Sequence, residues 1–307
     1  MILRRSSGRK PGNRQKSVLT GILLGALLIA FLALLPTLYL RIRDHSGNDR
    51  RQLRTYFEGG SFEESFLLSE EMLKARPLDA FLLTIHGFSS YQLGIAQINT
   101  FDTLTYINNA IWSLRKALLS SGSAQDGSLY YVLGKAYFYK GPDYADLAVN
   151  YLERARSTGF MAADIPEYLG LSHAALGDYR SSVIAFSQAL GNPSDLLLLS
   201  IAHSYTALEE YDLARAYLNR SLEISRDSNT INTARLNLAN ILTRTGHLEE
   251  AEIEYLVLIE NNGENAEAHY QLGELYALQG DLTRARAEWR RAIRIDPAHG
   301  PARRRLN

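Results

Sequence analysis

The sequence predicts an all-α chain in which one transmembrane helix precedes a solenoid of about seven helical hairpins. Three observations carry this. The stretch Ala266 to His299 holds two amphipathic helical patterns separated by Gly280-Asp281. The same arrangement of small and large residues recurs in phase back to Ser46, and such a hairpin buries its apolar face only against copies of itself. Ahead of the array, Val18 to Leu40 is a run of 23 residues without a charge.

In AEAHYQLGELYALQGDLTRARAEWRRAIRIDPAH, residues 266–299, Leu272, Leu275 and Tyr276 fall at helical intervals, as do Ala285, Trp289, Ala292 and Ile293. Gly273 and Ala285 are small where two helices must approach, Tyr276 and Trp289 fill the space beside them, and Pro297 cannot continue the second helix. Leu272-Gly273, Tyr276, Ala285, Trp289 and Pro297 together resemble the tetratricopeptide repeat (TPR), whose pattern of about 34 residues runs W-x2-L-G-x2-Y, A-x3-F, P. His269 stands where that pattern has Trp.

Composition sets limits. Cysteine is absent, which removes disulfides, thiolate catalysis and Cys-ligated metal sites. No acidic residue precedes Asp44, whereas from Asp44 onward 33 Asp and Glu face 25 Lys and Arg. The body is therefore acidic and unsuited to general nucleic-acid binding.

The N-terminal part reads as a basic tail (1–17), a membrane anchor (18–40) and a linker (41–45). At about 1.5 Å per residue the apolar run spans a hydrocarbon core of about 30 Å, and Tyr39 sits where an interfacial aromatic belongs. It exceeds the usual apolar length of a signal peptide and lacks an A-x-A site at its end, so an uncleaved anchor is expected over a cleaved leader. Six Lys and Arg precede the run and Arg41, Arg43, Arg50, Arg51 and Arg54 follow it. The narrow bias places the N-terminus in the cytoplasm and the large domain outside. Ser17, Gly21 and Gly25 form a small-xxx-small stripe that could seat a homodimer, although such stripes are frequent by chance and monomeric anchoring is the plainer expectation.

The repeats divide as 46–79, 80–126, 127–162, 163–194, 195–231, 232–265 and 266–299, followed by a tail, 300–307. The first has a degenerate leading helix and Ser65 at the packing-Ala position. The second carries His86-Gly87 at the Leu-Gly position and an inter-helix segment, GIAQINTFDTLTY included, about eleven residues longer than the TPR turn. The third restores Leu133-Gly134 and inserts Gly141-Pro142-Asp143. The fourth has Leu169-Gly170 and Phe186, the fifth Ile201-Ala202 with a longer exit through Arg226 to Asn229, and the sixth Leu238-Ala239 and Tyr255. The tail is too short for the solvating helix that often follows a TPR array, which leaves the last apolar face partly open or covered by a partner.

No catalytic or cofactor motif is present: there is no P-loop, nucleophile elbow or H-E-x-x-H pair, and no enzyme or cofactor is expected. The seven histidines lack ligand spacing and read as structural, and the run Glu249, Glu250, Glu252 and Glu254 reads as a solvated face. What remains is a surface. The resemblance implies a concave groove lined by the first helices. Its early part would offer Arg50, Arg54, Phe57, Phe81, Phe88, Tyr91, Tyr131, Lys135, Phe138 and Tyr139, and its later part His203, Asn240, Arg244, Tyr270 and Glu274. The aromatics form either a peptide-binding wall or packing between repeats. The carboxylate clamp of chaperone-docking TPR domains is missing, because Leu236 and Glu274 accompany Asn240.

The combination is similar to membrane-anchored TPR accessory proteins of bacterial envelopes, which implies a scaffold for protein or peptide partners. The expected place is a bacterial inner membrane with a periplasmic C-terminal domain. The alternatives are a cytosol-facing organellar receptor or cochaperone, and a secreted soluble TPR protein if the N-terminal segment is cleaved. Deleting residues 1–43 is expected to move the protein from the membrane fraction to the soluble one with its helical circular dichroism intact. Full-length protein recovered as soluble, trimmed near residue 40, would instead mark a cleaved leader.

Overall fold

The computed structural model describes residues 48–120, 126–191 and 193–306, and these fall into two compact units that part between Ala162 and Ala163. The expected basic tail (1–17), membrane anchor (18–40, with Gly21 and Gly25) and linker (41–45) lie outside the described residues. No helix among the described residues is long and apolar enough to cross a membrane.

Among the described residues the chain forms fifteen α-helices and no strand. The first unit contains α1 (Asn48–Glu58), α2 (Phe62–Ala75), α3 (Ala80–Ala96), α4 (Thr100–Leu118), α5 (Gly127–Lys140) and α6 (Ala145–Ser157), with a 3-10 turn at Pro142–Tyr144. The second contains α7 (Ile165–Ala175), α8 (Tyr179–Ser187), α9 (Asp195–Ala207), α10 (Tyr211–Ile224), α11 (Ser228–Arg244), α12 (Leu248–Asn261), α13 (Ala266–Leu278), α14 (Leu282–Ile295) and α15 (Gly300–Leu306). Within each unit successive helices pair as antiparallel hairpins and each hairpin packs on the next, a TPR-like stack.

Local chemistry starts and stops these helices. Asp79, Asn99, Asp126, Asp178, Ser194, Asp227, Asn265 and Asp281 each cap a helix by accepting from a backbone N–H of the first turn. At five hairpin turns the first helix closes with the same bond, from the N–H of Ser61, Asp178, Glu210, His247 or Asp281 to the carbonyl five residues earlier. The left-handed residue this requires is Gly60, Gly177, Gly246 or Gly280 in four of them and Glu209 in the fifth, at φ 61°. Glu209 has a Cβ that this conformation crowds, so its turn is held by the helices on either side.

In the six hairpins from α3 onward the two helices cross on a small residue. A methyl group at Gly87 would stand 2.5 Å from Leu114, at Gly134 2.6 Å from Leu152, and at Gly273 2.6 Å from Trp289 Cδ1, while one at Gly170 would strike Phe186. In the fifth and sixth repeats Ala202 with Leu218, and Ala239 with Tyr255, occupy the same places and are fully buried. Polar departures from the pattern are matched by polar partners. His86 faces Ser113 at 2.8 Å, His269 faces Glu288 at 2.7 Å, and Ser65 accepts from Ser89 Oγ at 2.9 Å.

Four expectations are corrected. The long second-repeat insertion does not form a long turn: α3 reaches 17 residues and α4 19, leaving only Gln97 to Asn99 between them. The added turns gain burial, with Ile107 fully enclosed against Gly94, and Asn99 caps α4. The exit from the fifth repeat is shorter than expected because Asp227 starts α11 at Ser228. The tail is a helix, α15, which covers part of the last repeat: Ala302 is fully buried, Leu306 packs against the core, and Arg305 pairs with Glu274 and lies over Trp289. The acidic run on α12 is tied down rather than only solvated, for Arg215, Arg235 and Arg284 from three other helices reach Glu250, Glu254 and Glu252.

Two predictions follow from these contacts. Trp289→Ala is expected to cost about 3–5 kcal/mol, with hydrogen-exchange protection lost chiefly in α11 to α15. Gly273→Ala should be severe alone and far milder in the Trp289→Ala background, and strictly additive costs in a double-mutant cycle would contradict the crossing. The second concerns pH. Burial lowers the pKa of His86 from 6.5 to about 4. The unfolded chain takes up that proton near 6.5 and the folded chain does not until about 4. Stability should therefore fall by up to about 3 kcal/mol as pH drops through this window, then level off. His86→Leu, which restores the TPR residue, should remove that part of the pH–stability curve, and an unchanged curve would contradict it.

Candidate functional site

The early-groove residues sit on α1, α3 and α5, and most are buried. Phe57, Phe88, Tyr91, Tyr131 and Lys135 are each less than 5% exposed and Phe81 9%. Rings of this size gain much by leaving water, and here they pack on one another. Phe57 stacks on Phe88 at 6.2 Å, Tyr91 meets Tyr139 edge-on at 6.1 Å, and Tyr131 lies 5.3 Å from Phe160. Lys135 Nζ donates to Tyr131 Oη at 3.1 Å and lies 5.1 Å from that ring's centre. Arg50 pairs with Asp79 and covers the Phe81 ring. Of the two readings of these aromatics, packing describes the buried rings, while Arg54, Phe138 and Tyr139 are half-buried.

In the second unit the structure brings three of the five later-groove residues together. α9 and α11 run side by side, and a recess of about 200 Å³ opens between them. His203 and Thr206 line it from α9, and Asn237, Asn240 and Arg244 from α11, over an apolar floor of Ala202, Leu218 and Ile241. Tyr270 and Glu274 are elsewhere: Tyr270 packs at 5.1 Å from the His299 ring, and Glu274 is occupied by Arg305.

Two lining residues, Asn240 and Arg244, offer hydrogen-bond donors to the recess, whereas the Thr206 hydroxyl donates to the Ala202 carbonyl at 2.8 Å. Tyr255, fully buried on α12, donates to Asn240 Oδ1 at 2.7 Å. Burial pushes the Tyr255 pKa up to about 12, so the phenol keeps the proton this bond needs. With its oxygen engaged, Asn240 has its NH2 group left to donate. Arg244 is exposed in the last turn of α11 and forms no ion pair among the described residues, and no carboxylate lines the recess. His203 is exposed, its ring 5.9 Å from Tyr179. The sequence reading missed Thr206, Asn237 and the part played by Tyr255. A signal was there for Asn237, since 237, 240 and 244 share one helical face at spacings of three and four.

Among the described residues no group of three or more His, Asp or Glu side chains is placed to hold a metal ion. A wider recess of about 380 Å³ in the first unit, between α1 and α2, is lined by Asp49, Arg50, Leu68, Glu71, Met72, Ala75 and Arg76. It mixes charges of both signs.

Two segments match models described as tetratricopeptide repeat, residues 197–228 and 266–299. No curated protein matches the chain. Among solved structures, the C-terminal part of a TPR repeat-containing protein from Cytophaga hutchinsonii aligns over 84% of this chain and 99% of its own, at 16% identity and a TM-score of 0.61. PilW, described as a widely conserved type IV pilus biogenesis factor, aligns over 72% and 98%, at 19% identity and a TM-score of 0.57. YrrB, described as a TPR protein with an unusual peptide-binding site, aligns over 63% and 97%, at 22% identity and a TM-score of 0.51. Identities this low show the fold alone, an all-α, TPR-like architecture.

Proposed function

We propose that this protein is a non-enzymatic, membrane-anchored TPR scaffold that binds proteins or peptides on the face shared by its first helices, in the assembly of envelope proteins. The observation that carries the binding part is the recess between α9 and α11, where His203, Asn237, Asn240 and Arg244 meet over an apolar floor. Pockets that recognise segments of other molecules combine these two elements, an apolar base and a few placed polar groups. The membrane part rests on the uncharged run Val18 to Leu40 and its basic flanks, with the C-terminal domain periplasmic by charge bias. The envelope role is an extension from the resemblance to anchored accessory proteins. A pilus biogenesis factor and a peptide-binding protein among the structural neighbours run in the same direction.

A photo-crosslinking residue placed at His203 in intact cells is expected to capture discrete protein partners. The same residue at Ile253, exposed on α12, should capture several-fold less. Equal labelling at both positions, or none at His203, would refute binding at this face.

A further inference from the structure

We infer that the recess between α9 and α11 is a carboxylate-binding site, and that the partner segment it takes is an extended peptide presenting a carboxylate there. This rests on the reading of that face as a protein-binding surface and names its ligand chemistry.

Asn240 cannot offer both faces of its amide, because Tyr255 holds the oxygen from behind at 2.7 Å and Thr243 Oγ1 stands 3.4 Å from the same phenol. The NH2 group is thereby assigned to the open side. Asn237 lies one turn earlier on the same helical face, and Arg244 one turn later. A planar guanidinium with five N–H donors matches the two oxygens of a carboxylate better than any neutral acceptor.

Local charge sets this recess apart from the rest of the chain. Between Asp44 and Thr283 the chain carries 31 acidic against 17 basic residues, so its general field repels anionic peptides. The α12 glutamates nearby in sequence are answered by Arg215, Arg235 and Arg284, whereas Arg244 has no ion-pair partner among the described residues. A cation without a counter-charge, at the edge of a recess without a carboxylate, is complementary to an incoming one. The apolar floor of Ala202, Leu218 and Ile241 accepts the methylene groups of an Asp or Glu side chain, or those beside a chain terminus. The missing clamp of the chaperone-docking domains does not bear on this site, whose cation comes from the last turn of the same helix as its asparagines.

The test uses the full-length protein in detergent and three unlabelled, N-acetylated heptapeptides of glycine and serine, with binding read by isothermal titration calorimetry. One has a central Asp and an amidated C-terminus, one a central Asn and an amidated C-terminus, and one a central Asn and a free C-terminal carboxylate. Both carboxylate-bearing peptides, or one of them, should bind at least tenfold tighter than the neutral peptide, and which of the two does so tells a side-chain ligand from a terminal one. Arg244→Gln, at an exposed position, should abolish the difference while leaving the thermal unfolding curve unchanged. Tyr255→Phe, which frees the Asn240 amide to turn over, should reduce it. Equal binding of the charged and neutral peptides, a charge preference that survives Arg244→Gln, or no binding by any of the three overturns the carboxylate assignment. Capture of partners at residue 203 in cells would then still uphold the broader reading, and its loss would sink both.

Discussion

The six hairpins from α3 onward depend on the close crossing of their two helices. At Gly87, Gly134, Gly170 and Gly273 the first helix has no side chain, and a leucine, a phenylalanine or a tryptophan from the second fills the vacated space. That contact fixes the distance between the helix axes and therefore which residues of the first helix remain for the outer face. His203, Asn240 and Arg244 point where they do because Ala202 and Ala239, beside two of them, are turned to the crossing and fully buried. The binding face and the core are thus set by one register.

That register is why so much was readable in advance. Small-to-large spacing, turn glycines and N-capping Asp, Asn and Ser are local and repeat with the array, so each repeat supports the reading of its neighbours. What escaped was whatever depends on a partner far along the chain. The second-repeat insertion was read as loop because it exceeds the TPR turn, whereas its apolar residues extend two helices that bury Ile107 against Gly94. The tail was too short to be stable alone, yet Ala302 and Leu306 have the last repeat to fold against.

For the candidate site the limit was of another kind. Groove register marks which residues lie on the first-helix face but not how deep each sits. It therefore gave Phe57, Phe88 and Tyr131 equal standing with His203, although the rings are buried and the histidine is exposed. Nor does register reveal which way an amide points, since Asn240 is oriented by Tyr255 from the next helix. The acidic run on α12 shows the same gap: its arginine partners lie on three other helices, and only the stacking brings them within reach.

The serine pairs at the junctions between hairpins have a consequence for how such a chain can change. Ser65 of α2 meets Ser89 of α3, and Ser182 of α8 meets Ser204 of α9, all four fully buried. Each pair joins the second helix of one repeat to the first helix of the next; Ser204 also donates to the Ser200 carbonyl of its own helix, whereas Ser65, Ser89 and Ser182 meet their partners across the junction. Moving, duplicating or deleting one of these repeats would leave a hydroxyl enclosed without its mate, at a desolvation cost of about 1–3 kcal/mol. Although the repeats look modular, these two junctions favour the neighbours they have, and an added repeat would cost least at a junction closed by hydrocarbon alone.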